Sequence, residues 1–129
     1  MKYLLTIYAD ESGMASASPE DMQQMLTAYN AFTEEVREAG AMEGGEGLAP
    51  TATATTVQVR NGERLLTDGP FAETKEQLGG FYALECKDLD EALAWAARIP
   101  EAQFGAVEVR PVIDYAALEG AMNGAEASA

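Results

Sequence analysis

Apolar and polar positions alternate from the start of the chain. Tyr3, Leu5 and Ile7 interleave with Leu4, Thr6 and Tyr8, and both sets are largely apolar. A short run that is hydrophobic on both faces predicts a strand flanked by other strands. Asp10 to Ser18 is small and polar and reads as a loop. The period then changes. Met22, Met25, Leu26, Tyr29, Phe32 and Val36 recur at helical spacing, which predicts a helix whose stripe faces the core. Its start is marked by Ser18 as cap, Pro19 at the first helical position, and Glu20 and Asp21 where the helix dipole favours acids. Gly40 is its natural stop.

Gly44 to Pro50 is glycine-rich and reads as a flexible connector. Thr55 to Arg60 alternates with period two and is rich in β-branched residues, as a strand requires. Asn61-Gly62 follows, a strong hairpin signal because both central residues of that turn need positive φ. Glu63 to Thr67 is the return strand, and Gly80 to Cys86 is another strand. Asp88 and Glu91 then open a second helix in capping-box fashion. That helix carries Leu89, Ala92, Leu93, Ala96 and Ile99 on one side and ends at Pro100. Ala106 to Val112 is the last strand, and the tail from Gly120 is small, polar and expected to fray.

The order is strand, helix, hairpin, strand, helix, strand. Its natural solution is an α+β fold, a ferredoxin-like plait with an added β-hairpin and both helices on one face of an antiparallel sheet. The other sheet face is then open. Because Leu4 lies beside Leu5 and Phe81 beside Tyr82, that face is apolar and needs a cover. A face-to-face homodimer supplies one, giving a dimeric α/β-barrel. The domain is expected over residues 1–113, with 114–129 a tail, partly helical or disordered.

Composition changes the picture chiefly by exclusion. The chain has 129 residues, 47% of them hydrophobic, which is enough for one core without a disulfide or metal staple. Eight basic against 22 acidic residues give a net charge of −14. Such a surface repels nucleic acid and anionic lipid. Histidine is absent, so Ser–His and Cys–His nucleophilic systems are excluded within the chain. The one cysteine, Cys86, lies in a β-like apolar run and reads as a buried thiol. No signal-peptide pattern or membrane-length apolar run is evident, which makes the cytoplasm the expected compartment.

One segment is unlike the rest. Asp68-Gly69-Pro70-Phe71-Ala72-Glu73-Thr74-Lys75-Glu76-Gln77-Leu78-Gly79-Gly80 packs three acids, a lysine, a threonine and an amide between two strands. Asp-Gly-Pro forces a tight turn, and Phe71 is expected to anchor it in the core. Asp68 and Glu73 are the candidate acid/base groups. Gly69, Pro70, Phe71, Lys75 and Glu76 are candidates for contacting a small molecule, with Tyr29, Glu46 and Arg110 as more distant ones. The plainer alternative is a turn that only steers the chain, its charges in water. Carboxylates alone would suit only an oxygen-preferring cation, and the segment does not match an EF-hand loop, so no metal and no cofactor is expected.

The run from Asp68 to Tyr82 resembles the signature of the DGPF-domain proteins, part of the wider YCII-related family. The opening Met1-Lys2-Tyr3-Leu4-Leu5, the Gly45-Glu46-Gly47-Leu48 stretch and the closing Val107-Glu108-Val109-Arg110-Pro111 fit the same pattern. The resemblance covers about residues 1 to 113. It implies a dimeric α/β-barrel with a cleft near the signature loop. It also implies a suspected activity resting on a His–Asp pair, of which this chain can supply only Asp68. Some members are linked to sigma factors of the extracytoplasmic-function class. Two functions follow as expectations. The first is a small-molecule-binding or enzyme-like protein with cofactor-free acid/base chemistry. The alternative is a non-catalytic interaction protein, accessory to such a regulatory system.

Overall fold

The expected N-terminal strand forms as β1 (Lys2–Ala9). Tyr3, Leu5 and Ile7 are buried, while Leu4, Thr6 and Tyr8 point to the other side and are half-buried. The computed structural model describes residues 1–128. Asp10 to Ser18 is not wholly a loop, because a short helix α1 (Glu11–Ala15) interrupts it. Asp10 caps this helix, its carboxylate accepting from the Ser12 amide at 2.9 Å. An Asp two residues before a Ser looks like loop chemistry because caps and turns share residue types.

The long helix α2 (Pro19–Glu38) starts as expected. Ser18 accepts from the Asp21 amide and Asp21 accepts in return, closing a reciprocal cap. Its stripe is only partly a core face. Phe32 and Val36 are buried and Tyr29 packs against the core, but Met22 and Leu26 are exposed. The N-terminal turns of α2 therefore run past the edge of the core.

Strand β2 (Met42–Gly47) occupies the segment read as a flexible connector. Glycines argue against a strand by propensity, yet here pairing with β5 (Gln77–Glu85) decides the matter. Gly80 of β5 shows why small residues stand at this seam. A Cβ there would lie 2.8 Å from the Glu46 carbonyl oxygen, so only glycine lets the two backbones meet. The expected hairpin forms as β3 (Thr55–Arg60) and β4 (Glu63–Asp68). Asn61 and Gly62 both take positive φ, 53° and 78°, as a two-residue hairpin turn demands. However, β3 and β4 are not part of the main sheet. They form a two-stranded sheet of their own.

Helix α3 (Leu89–Ala97) is capped by Asp88, which accepts from the Glu91 amide at 2.9 Å. A 3₁₀ turn over Pro100–Gln103 follows, then β6 (Ala106–Pro111) and α4 (Tyr115–Ser128). Of the expected tail, Tyr115–Ser128 is helical.

The main sheet has the order β2-β5-β1-β6, with antiparallel pairing throughout. β1 leads through α2 to β2, and β5 fills the gap between those two strands. Leu5, Leu84 and Val36 are wholly buried, and Ile99 nearly so. With Phe32 from α2 and Ala92 and Ala96 from α3 they form one cluster. Each large apolar side chain contributes about 1.5–3 kcal/mol by leaving water. The Phe32 ring meets Tyr82 and Trp95 edge-on, with centroids 5.2 and 6.0 Å apart, a favourable geometry for aromatic quadrupoles. The two alanines let α3 come close to the sheet. Cys86 is buried in the same cluster, and burial pushes its thiol pKa up. The fold is mixed α+β with antiparallel sheets and helices on one face of the larger one.

Candidate functional site

The face of the main sheet opposite the helices is open in the single chain. Register orders its residues in rows. Glu46, Phe81, Thr6 and Glu108 form one row from β2 to β6. Gly44, Ala83, Leu4 and Arg110 form the next, and Leu78, Tyr8 and Ala106 a third. The centre is apolar and half-buried, and the two edges are charged. A shallow cleft of about 220 Å³ lies between β1 and β6, lined by Leu4, Thr6, Tyr8, Glu108 and Arg110. The Arg110 guanidinium donates to Glu108 at 2.6 Å. That contact raises the Arg110 pKa, and it leaves a neutral, solvent-exposed ion pair beside the apolar floor.

A second group of polar residues gathers where β1 ends and β5 begins. Ala9 pairs with Gln77, which sets Asp10 and Glu11 beside the end of the signature loop. Glu11 is held firmly. Its carboxylate accepts from the Thr51 amide at 2.8 Å and from the Thr51 hydroxyl at 2.7 Å. Its own amide donates to Gln77 Oε1 at 2.9 Å, and Gln77 Nε2 donates to the Thr74 carbonyl at 2.7 Å. The Thr74 hydroxyl donates to the Glu76 carbonyl. Hydrogen bonds from Ser12 hold the Asp10 carboxyl below its ordinary range, and Lys75 adds to this electrostatically. Glu76 stands out: its Oε2 is shut off from solvent and accepts no hydrogen bond from the described residues. A buried acceptor without a donor costs free energy that a donor would recover.

The other sequence-nominated residues are dispersed. Asp68 ends β4 and is exposed. Gly69, with φ of 105°, turns the chain, and its carbonyl accepts from the Thr56 hydroxyl at 2.8 Å. Pro70, Glu73 and Lys75 are exposed. Phe71 is not a core anchor, being 79% exposed. The turn is held by backbone and hydroxyl bonds at its base, so it has no need of an apolar plug. Glu46 and Arg110 lie on the open face, at opposite edges. Tyr29 lies across the sheet from them, packed with the core on the helix side. Burial, and then the Glu101 carboxylate nearby, push its phenol pKa upward. Sequence reasoning passed over Asp10, Glu11, Thr51 and Gln77. Only the strand register brings them together, although the Asp10-Glu11 pair directly after a strand was a visible signal. Among the described residues, no group of His, Cys, Asp and Glu is arranged to hold a metal ion. No helix there is long and apolar enough to cross a membrane.

The YCII-related domain model matches residues 1–116. An uncharacterized protein of Rhizobium meliloti (strain 1021) is 40% identical over 117 residues, spanning 89% of this chain and 94% of that protein. Matching over nearly the whole length of both chains, the protein belongs to the YCII-related domain family.

Proposed function

We propose that the protein is a homodimeric small-molecule-binding protein built on a ferredoxin-like plait, its ligand held between the open sheet face and the signature loop. The observation that carries this reading is the unpartnered Oε2 of Glu76 at the end of an otherwise well-bonded loop. A ligand bearing an N–H, hydroxyl or ammonium group would satisfy it. The acids Asp10 and Glu11 nearby favour the same chemistry, and the open face supplies an apolar wall. Pairing two such faces covers Leu4, Phe81 and Ala83, closes an α/β-barrel and turns the shallow cleft into an enclosed one.

Asp68 and Glu73 are the carboxylates we assign to proton transfer in this reading. A carboxylate acts as base near neutral pH when it is desolvated. Both are exposed in the single chain, so the second copy or the ligand must cover them. The test is native mass spectrometry of the purified chain, followed by thermal-shift screening with small amines, polyols and amino acids. Binding is expected, and Glu76→Gln and Asp68→Asn are each expected to weaken it about tenfold or more. Binding unchanged in Glu76→Gln, Asp68→Asn and Glu73→Gln alike would remove this assignment. So would capture of a protein partner with no small molecule bound.

A further inference from the structure

Strand β6 has β1 on one side and, among the described residues, no strand on the other. Its backbone shows what that free edge offers. The Val112 amide donates to the Lys2 carbonyl beside β6 at 2.8 Å. Bonding direction alternates along an antiparallel strand. Arg110 and Glu108 therefore also bond toward β1, while Val107 and Val109 turn their amides and carbonyls outward. Pro111 shares the outward parity and offers only its carbonyl. Glu108 and Arg110 flank Val109 in sequence, and both line the cleft on the open face. On the other face, α3 packs on β6 and α2 on β2, the two opposite edges of the sheet. Trp95 of α3 meets Phe32 of α2, and Arg98 pairs with Glu35 of α2, so that flank of α3 looks inward. At about 100° per residue, Leu89 and Leu93 fall on the opposite flank, toward the β6 edge. Each is 47% exposed.

We infer that this edge pairs antiparallel with the β6 edge of a second copy, about a two-fold axis at Val109, and that each copy completes the other's cleft between β1 and β6. Hydrogen bonding, charge and apolar cover each select a second copy as the occupant. The two Val109 residues exchange amide–carbonyl bonds, and each Val107 amide reaches the Pro111 carbonyl of the other copy. The same register sets Glu108 of one copy against Arg110 of the other, with Cα atoms about 4.5 Å apart. Opposite charges so placed make favourable cross-strand pairs. The strand is thus its own complement, with a Glu and an Arg equidistant from a residue whose polar groups point outward. β2, the other edge strand, lacks this pattern. It carries Glu43 and Glu46 with no cation, and its register shifts between Met42 and Gly44. Two copies of β2 would set acid against acid. Pairing through β6 also brings the two α3 helices side by side, where Leu89 and Leu93 cover one another. The cleft lined by Leu4, Thr6, Tyr8, Glu108 and Arg110 then gains Glu108 and Arg110 of the second copy at its rim. This contact goes beyond the face-to-face pair proposed above. Stacked sheets lie about 10 Å apart, too far for edge bonds, which need about 4.8 Å between strands.

The decisive experiment is sedimentation of the full chain over a concentration series, with hydrogen exchange read at single amides. The Val107 and Val109 amides are expected to be protected in the associated form and to lose that protection on dilution. Arg110→Glu sets acid against acid across the seam and is expected to raise the dissociation constant about tenfold or more. Glu108→Arg alone makes the chain less negative yet sets Arg against Arg, so it is expected to weaken association too. The two changes together exchange the charges and are expected to restore it. The near-ultraviolet signal of Trp95 checks the fold of each variant. Should the β6 variants misfold, Leu93→Asp on the exposed flank of α3 replaces them, with the same expected loss. Tighter association in Glu108→Arg, or no recovery in the double exchange, overturns the pairing. So does free exchange of Val107 and Val109 in the associated form, or their protection only when a different protein is bound. Association unchanged in Arg110→Glu, yet broken by Ala83→Arg on the open face, overturns the edge pairing and leaves the face-to-face pair standing. Association broken by Arg110→Glu and indifferent to Ala83→Arg supports the edge pairing and removes the face-to-face pair. A chain that is monomeric at every concentration overturns both.

Discussion

At the residue scale, burial separates two apolar side chains that look alike in sequence. Phe71 sits in the most distinctive segment of the chain, yet it is exposed, whereas Leu84 is wholly buried. Leu84→Ala is expected to cost about 2–5 kcal/mol through lost transfer energy and the cavity left behind. Phe71→Ala is expected to change the stability of the monomer by less than about 0.5 kcal/mol. Urea unfolding of the two variants checks both values, and a Phe71 cost as large as that of Leu84 would restore the anchor reading. Glu101 gives a pH-dependent case. Burial holds its carboxyl above the ordinary range, partly opposed by the Tyr29 hydroxyl. The folded state therefore binds this proton more tightly than the unfolded chain does. Stability from this group is fully present below about pH 4.3 and is lost as pH rises through the folded value. Glu101→Gln is expected to raise the urea midpoint at neutral pH, with the gain vanishing near pH 4.

At the element scale, the signals with a local mechanism located their elements well. Ser18 with Asp21, Asp88 with Glu91, and Asn61 with Gly62 each act through contacts within four residues, so the sequence alone displays them. Asp88→Ala is expected to cost about 1 kcal/mol, read as a lower thermal midpoint. Asp88→Asn should largely restore stability, since the amide oxygen can still accept from Glu91. Strand β2 is the opposite case. Met42 to Gly47 has poor strand propensity, and its place in the sheet comes from hydrogen bonds to β5, more than thirty residues away. Period and composition cannot register such a partner. The same holds for the hairpin, whose strands read correctly while their separation from the main sheet did not show.

At the scale of the whole molecule, charge and shape pull apart. A net charge of −14 on 129 residues repels itself, and the repulsion is long-ranged at low salt. Raising ionic strength from about 0.01 M to about 0.15 M shortens the screening length from about 30 Å to about 8 Å. The thermal midpoint is expected to rise over that interval, and a flat or falling midpoint would mean that specific ion pairs outweigh the net charge. Shape asks for company. One sheet face, the hairpin, and the Tyr115, Leu118 and Met122 side chains of α4 are all left apolar and exposed to some degree. A single copy leaves them without a core to join.

The sequence by itself determined the elements with local causes: the capped helices, the turn at Asn61-Gly62, the strand periodicities, and the α+β class that their order implies. It also marked the Asp68 to Gly80 loop as chemically unusual, and that loop does border the polar cluster at the end of β1. Tertiary structure alone decided the edge strand β2, the detachment of the hairpin, the exposure of Phe71 and the meeting of Glu11, Thr51 and Gln77. The physical reason is range. Caps and turns are settled by neighbours along the chain, whereas pairing, burial and the convergence of a site depend on contacts that the register of distant strands creates.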